Sequence, residues 1–430
     1  MTEPLVAAFV EVDITPAIET TQNGRRRRRS FTVHDPLMAR LCVLRQGATT
    51  AVLAGIDVFE LGGDFEERVS AHLAGTGIGS DSLLFSPSHV GMSPISHYGA
   101  YIIVFAQDLI IHDFEAACAE RIAAGIRQAL ADLTPVRVSA GVGHAPGITR
   151  NRRWIKPDGA VEMVGLNSEI PTATDWTEQG VDAAVRVMRL DTVAGEQLGA
   201  LVNFGCHALC SDDRYGDITA DYPQHVAAVF RKVAGIPSVF TQGSIGEQIP
   251  VEAAGAGSAR RIGHALGARA LYVFEQIAPS ETPRLGVHSV QATVPARKVA
   301  EEPQAMRTEL RNSRARYRRY LFERFHANPS LTYPIRVVTL GDDVALVALP
   351  GEVFHETVAA LQEASPYPHT IVLSRASREV GYVPVPSAFA QGGMEPALTA
   401  LTPESEPVIR QNAIEHLRRC KEAVPVSGRE

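Results

Sequence analysis

Residues 200–207, Ala-Leu-Val-Asn-Phe-Gly-Cys-His, run an apolar strand directly into an imidazole. Three other segments are built alike: Leu83-Leu-Phe-Ser-Pro-Ser-His89, Val344-Ala-Leu-Val-Ala-Leu-Pro-Gly-Glu352, and a strand followed by Val380-Gly-Tyr382. Strands that are apolar on both faces belong in sheets covered on both sides. A polar group just beyond such a strand is delivered to one edge of the sheet, where open α/β folds place their ligands. His89, His207, Glu352 and Tyr382 are therefore a candidate set of two imidazoles, a carboxylate and a phenol, donor types that suit a catalytic zinc.

Further runs of strand length lie at Leu5 to Val12, Met38 to Leu44, Thr50 to Phe59, Val136 to Val142, Pro237 to Thr241, Ile335 to Leu340 and Thr370 to Leu373. Helical spacing covers about His112 to Leu133, Tyr222 to Val233, Ser258 to Ile277, Ala305 to His326, Glu352 to Glu363 and Glu404 to Val424. Asp64, with Glu67 three residues on, predicts a capped helix start before Gly75. Long helices alternating with buried strands predict an α/β fold. Several strands follow each other after short turns, so the layered core is expected to be a mixed sheet with flanking helices and a metal site at the strand C-terminal ends. The polar stretch Arg150 to Gly180 reads as a long surface excursion.

Of the 430 residues, 45% are hydrophobic and 21% charged, which excludes a disordered chain. A net charge of −7 gives no global case for binding nucleic acid. No uncharged apolar run is long enough to span a bilayer, so stable membrane insertion is not expected. Five scattered cysteines make no disulfide framework, and the N-terminal stretch lacks a basic start and sustained apolar core, so a cytoplasmic protein is expected. Cys206 and Cys210 flank His207, but no second pair at zinc-ribbon spacing accompanies them.

With those residues in view, the chain resembles the catalytic domain of the neutral, non-lysosomal ceramidases, a family of zinc-dependent amidases. The resemblance runs in order through Val10 to Pro16, His34 to Arg40, Ala54 to Asp57, the His89 segment, Asn151-Arg152, Gly180 to Asp182, Asn203 to His207, Ala220 to Pro223, Gln242-Gly243 and Gly246, Pro350 to Glu352, Gly381-Tyr382 and Gly392 to Glu395. It implies one ceramidase-like catalytic domain over residues 1–430, without the family's C-terminal immunoglobulin-like domain. It also implies zinc on His89, His207, Glu352 and Tyr382. Two departures stand out. The family's second histidine after the early strand is Gly91, and the serine assigned a catalytic role in bacterial members is Ile249.

A metal-activated water needs neither lost group. The expected function is thus zinc-dependent hydrolysis of an amide or ester bond in a small polar substrate. A lyase or isomerase acting on a carbonyl or hydroxyl substrate, and a non-catalytic metal-binding module, are the alternatives. Proton transfer still needs an acid or base. His97, in the same loop as His89, is the first candidate; Glu247, Glu395 and His355 are its rivals, and Tyr382 could serve a developing oxyanion. Asp57 could orient a ligand imidazole, and Asp221 is expected to cap a helix. The run Arg25 to Arg29 precedes the His34 segment, on the way to the pocket in ceramidase-like enzymes; Arg27, Arg152 and Glu395 are the candidate contacts to an anionic or polar substrate. A second basic stretch, Arg307 to Arg324, has amphipathic helical spacing that would suit packing on the domain or contact within a homo-oligomer.

Overall fold

Apolar strands need cover on both faces, and four layers supply it. The computed structural model describes residues 3–16, 32–94, 113–166, 168–211, 218–278, 283–297, 328–376 and 380–422. An eight-stranded sheet has the spatial order Ser238–Gln242, Gln197–Phe204, Ala184–Thr192, Thr134–His144, Val6–Asp13, Met38–Gln46, Thr49–Ile56 and Leu83–Pro87. Its outermost pairs are parallel and its inner pairs antiparallel, so the sheet is mixed. A second mixed sheet carries Leu285–Pro295, Ser330–Leu340, Val344–Ala348 and His369–Leu373.

Strand alternation sorts the side chains between layers. Leu41, Val43, Val52 and Ala54 pack with helices Phe65–His72 and Phe114–Ala131, whereas Cys42, Leu44, Ala51 and Leu53 pack with Val338, Leu346 and Ile371 of the second sheet. Val187, Val202 and Phe240 join helices Asp221–Val229 and Ala256–Gln276. The far side of the second sheet, with Ile335, Val337 and Val347, is covered by helices His355–Ala364 and Ser405–Glu422. Among the described residues no helix is long and apolar enough to cross a membrane.

The large sheet curls until its end strands meet. Gln242 donates its backbone N–H to Ser86 Oγ (3.0 Å) and its side-chain amide to the Ser88 carbonyl (2.6 Å). The second sheet is tied to the same place, because Ser374 N–H donates to the Gln242 carbonyl (2.9 Å) and Asn203 Nδ2 to the Val372 carbonyl (3.0 Å). Strand ends far apart in sequence thereby converge.

Several local expectations change. The helix expected from Glu352 starts only at His355, because Gly351 takes a φ of +77° and turns Glu352 and Val353 into a short strand parallel to Tyr382–Val383. Strands Ala184–Thr192 and Leu285–Pro295 were not expected. In the first, Arg186 and Arg189 interrupt the apolar pattern but are paired with Asp182 and Asp191; the second has a polar, partly exposed side. Arg150 to Gly180 is no simple surface excursion, since it holds the three-stranded sheet of Arg153–Ile155, Val161–Met163 and Thr177–Glu178, and residues 150–153 are buried. Asp64 sits at the helix start without a side-chain cap, because its carboxylate takes Arg68 at 2.7 and 3.0 Å. The Ala305 to His326 helix lies outside the described residues, as does the basic stretch from Arg307 to Arg324.

The curl leaves no room at Gly55, where a Cβ would fall 1.9 Å from the Phe240 carbonyl oxygen. Gly55→Ala is expected to cost about 3 kcal/mol through forced backbone separation. A urea unfolding curve should show the midpoint lowered at unchanged slope, and an unmoved midpoint would show that the end strands are not locked together.

Candidate metal centre

His89 follows its strand with a left-handed φ of +59°. Its ring stacks on Phe59 (centroids 4.3 Å apart, 24° between planes), and its Nδ1–H donates to the Phe59 carbonyl at 2.9 Å. His207 Nδ1–H donates to the Gln248 carbonyl at 2.8 Å. A carbonyl only accepts, so each ring carries a proton on Nδ1 and turns Nε2 toward the other ring and Glu352, where it is a lone pair in the ring's neutral form. Glu352 arrives from the second sheet, fully buried, with Oε2 2.9 Å from His207 Nε2 and Oε1 3.4 Å from His89 Nε2. One ligand atom from each of these three residues lies within 4.8 Å of the others.

That geometry tests whether a cation fits. Burial holds His89 well below the usual imidazole range, and Arg375 beside it adds to the effect. Burial alone would raise the Glu352 carboxyl, but the His89 and His207 rings and Arg375 outweigh it and keep the group ionised well below the usual carboxylate range. An uncharged His89 cannot supply the positive charge that this requires. Lone pairs of two imidazoles and a carboxylate facing one another are repulsive unless a cation lies among them. Two imidazoles and a carboxylate are donors that suit a divalent transition metal, with the rings aimed by carbonyls behind them. The residues present fit a metal.

Tyr382 lies beside Glu352 in the register of the short parallel pair. Burial pushes its phenol up, Arg152 opposes this, and Glu352 and Glu395 reinforce it, so the hydroxyl keeps its proton at neutral pH. The Arg152 guanidinium stands 5.3 Å from the Tyr382 ring centroid. Its Nε also donates to Glu395 Oε1 (2.7 Å) and its Nη2 to the Gly246 carbonyl (2.6 Å), while Arg153 Nη1 donates to Glu395 Oε2 (2.5 Å). Arg152 and Glu395 are thus partners of each other in a buried ion cluster behind Tyr382. Glu247 belongs to a neighbouring group: its Oε1 accepts both the backbone N–H (2.9 Å) and Nδ1–H (2.5 Å) of His355, and Glu356 Oε2 lies 3.0 Å from the same Nδ1. His97 and Arg27 lie outside the described residues.

Asp57 does not orient an imidazole. Its carboxylate takes Arg40 Nη1 (2.7 Å), Met38 N–H (3.1 Å) and Ser88 Oγ (3.3 Å), and the backbone carbonyl of Phe59 does the orienting. Asp221 accepts from Tyr222 N–H at its own helix start and from Ser211 N–H, both at 2.6 Å. Cys206 and Cys210 are buried thiols raised by desolvation, and the His89, His207 and Glu352 group contains no cysteine. Ile249 is buried in a strand pair opposite Arg150, and a Cβ on Gly91 would meet Leu209 Cδ2 at 2.8 Å.

Arg375, Phe59 and Gln248 were missed. Arg375 carries the same signal as His89, since it lies just beyond an apolar strand, Thr370 to Leu373. Phe59 and Gln248 act on the ring N–H groups through backbone carbonyls, which carry no residue signature.

The chain is similar to the crystal structure of neutral ceramidase from Pseudomonas aeruginosa, with a TM-score of 0.72 and 18% identity over 99% of this chain and 76% of that chain. A structure of a ceramidase complexed with C2 gives a TM-score of 0.73 at the same identity and coverage. No family model matches the chain, and no curated protein matches it in sequence. The fold is therefore that of neutral ceramidase, in a divergent sequence.

The His355 cluster gives a pH signature. Burial lowers the His355 pKa, but hydrogen bonds to Glu247 and Glu356 outweigh this and raise it from 6.5 to about 10. Burial raises Glu247 from 4.5 to about 7, against the pull of His355. Both groups hold a proton more tightly in the folded chain, so each contribution is lost as pH rises, for His355 from 6.5 through about 10. Urea midpoints of wild type should fall across that window, and His355→Gln should flatten the fall. An equally steep decline in the variant would remove His355 as its cause.

Proposed function

We propose that the chain is a zinc-dependent hydrolase that cleaves an amide or ester bond of a small, polar substrate. The observation that carries this reading is the convergence of the Nε2 atoms of His89 and His207 on the buried carboxylate of Glu352, each ring held by a carbonyl on its Nδ1 side. These three would hold the metal, with Tyr382 as a fourth ligand or as a donor to the oxyanion. When bound, zinc supplies a water with its pKa lowered to about 7 and polarises the substrate carbonyl.

The chain's own residues supply the rest. The Phe59 and Gln248 carbonyls keep both rings turned with Nε2 inward. Tyr382 keeps its hydroxyl proton and can donate it in a hydrogen bond to charge developing on the substrate oxygen. Arg152 holds the Tyr382 ring and the Gly246 turn together. The Glu247 and His355 pair, which keeps a proton at neutral pH, and His97 are the candidates for protonating the leaving group.

Ceramide is not the substrate we favour, although the similar structures are of ceramidases. Ile249 offers no exchangeable proton where the family's serine stands, and the Arg25 to Arg29 run with Arg27 at its centre suits an anionic or polar molecule. Residues 1–430 are read as one catalytic unit. Buried, unpaired thiols at all five cysteines favour a reducing compartment, the cytoplasm.

Metal analysis after reconstitution should find about one zinc per chain in wild type and a loss of at least ten-fold in affinity for His207→Ala. A chain that binds no transition metal would end the proposal. With N-acyl, ester and lactone substrates, Tyr382→Phe should lower kcat about 100-fold. Reaction in isotopically labelled water should place solvent oxygen in the product; its absence would favour elimination or isomerisation, and efficient ceramide cleavage would overturn the substrate class.

A further inference from the structure

Arg375 occupies a place that its backbone resists. It lies two residues beyond strand His369–Leu373 with φ +57°, a conformation rare for a residue with a side chain, and its N–H donates to the Gly351 carbonyl at 2.8 Å. That bond ties it to the turn carrying Glu352. Its Nη1 then donates to Glu352 Oε1 at 2.9 Å, and its Nη2 lies 3.6 Å from Glu60 Oε2. The guanidinium also stands 5.6 Å from the centroid of the Phe59 ring, the ring on which His89 stacks. Arg375, Glu60 and Glu352 are all buried.

The two oxygens of Glu352 are consequently unequal. Oε1 is taken by a cationic donor and stands 3.4 Å from His89 Nε2, whereas Oε2 lies closer to the rings, 2.9 Å from His207 Nε2, and receives nothing from Arg375. We infer that Arg375 is a positioning residue that reserves Oε1 of Glu352, so that the carboxylate would offer a metal Oε2 alone rather than both oxygens. This rests on the metal-site reading above. The fixed positive charge also weakens the carboxylate as a ligand, since it repels the incoming cation. Arg375 therefore lowers metal affinity while limiting the carboxylate to one oxygen, and Glu60 moderates that effect by drawing on the same guanidinium.

The sign separates this role from simple support. Loss of an ordinary supporting contact weakens metal binding, typically about 10–100-fold. Arg375→Met should instead tighten binding about ten-fold, because the repelling charge is gone and both oxygens become available. The probe is Co2+ in place of zinc, read by competition with a chelator and by visible absorption. The Arg375→Met spectrum should lose intensity as coordination number rises; Arg375→Lys, which keeps a cationic donor, should retain the wild-type spectrum. Glu60→Gln should weaken binding several-fold at an unchanged spectrum and gives a result even if Arg375→Met does not fold. An unchanged spectrum or weaker binding in Arg375→Met, or unchanged affinity in Glu60→Gln, overturns the inference. Wild type that binds neither Co2+ nor zinc overturns the metal reading beneath it.

Discussion

Glu352 is a fully buried carboxylate that the imidazoles and the guanidinium beside it hold well below the usual carboxylate range against the effect of burial. Removing such a charge from water costs several kcal/mol even after the protein relaxes, so positive charge must be supplied nearby. Arg375 supplies it on one oxygen. The other oxygen meets an imidazole nitrogen whose proton has been drawn to the opposite side of its ring by a backbone carbonyl. The turn at Gly351, the pairing with Tyr382 and the left-handed backbone at Arg375 all hold Glu352 in this position. A buried carboxylate held this way, with two imidazole Nε2 atoms turned toward it, is a candidate place for a cation.

The ligands lie far apart in the chain, and Gln242 brings their strands together. Its backbone N–H and side chain reach Ser86 and Ser88, on the approach to His89. Its strand pairs in parallel with the strand that leads to His207, register-matched at Phe204. Its carbonyl takes the N–H of Ser374, next to Arg375. One glutamine thus bonds to the His89 and Arg375 segments and lies in register with the strand that leads to His207. Sites mounted on rigid strand ends in this way hold ligand geometry better than sites on long loops. The absent side chain at Gly55 is the complement of that arrangement, because Phe240 must approach its backbone closely before Gln242 can reach.

The strand-end reading of the sequence found His89, His207 and Glu352 because strands of this kind carry a strong local signal, apolar on both faces and stopped by a polar residue. It also found the helices that cover them, within a few residues at each end. It missed Ala184–Thr192 because Arg186 and Arg189 read as solvent-facing, although each is paired close by in the chain, with Asp182 four residues before Arg186 and Asp191 two residues after Arg189. It took residues 150–153 for surface for a different reason, since the two charges on Arg152 and Arg153 meet Glu395 more than 200 positions later. Charge compensation across such distances leaves no periodicity to read. Hydrogen bonds from the ring N–H groups to backbone carbonyls are equally silent, because any residue can provide a carbonyl.

The two departures from the ceramidase pattern can be placed against this frame. Gly91 and Ile249 each lie within two residues of a group at the centre, His89 and Gln248, yet neither alters the ligand atoms. At Gly91 the space that a side chain would need is occupied by Leu209, so an imidazole there would require Leu209 to move. At position 249 the isoleucine is sealed in a strand pair, and the adjacent Gln248 carbonyl still takes the His207 proton. The geometry of the candidate metal centre therefore depends on backbone carbonyls and on the Glu352 and Arg375 pair, which tolerate these replacements. Groups that would act on a substrate are free to change beside a centre whose construction does not use them.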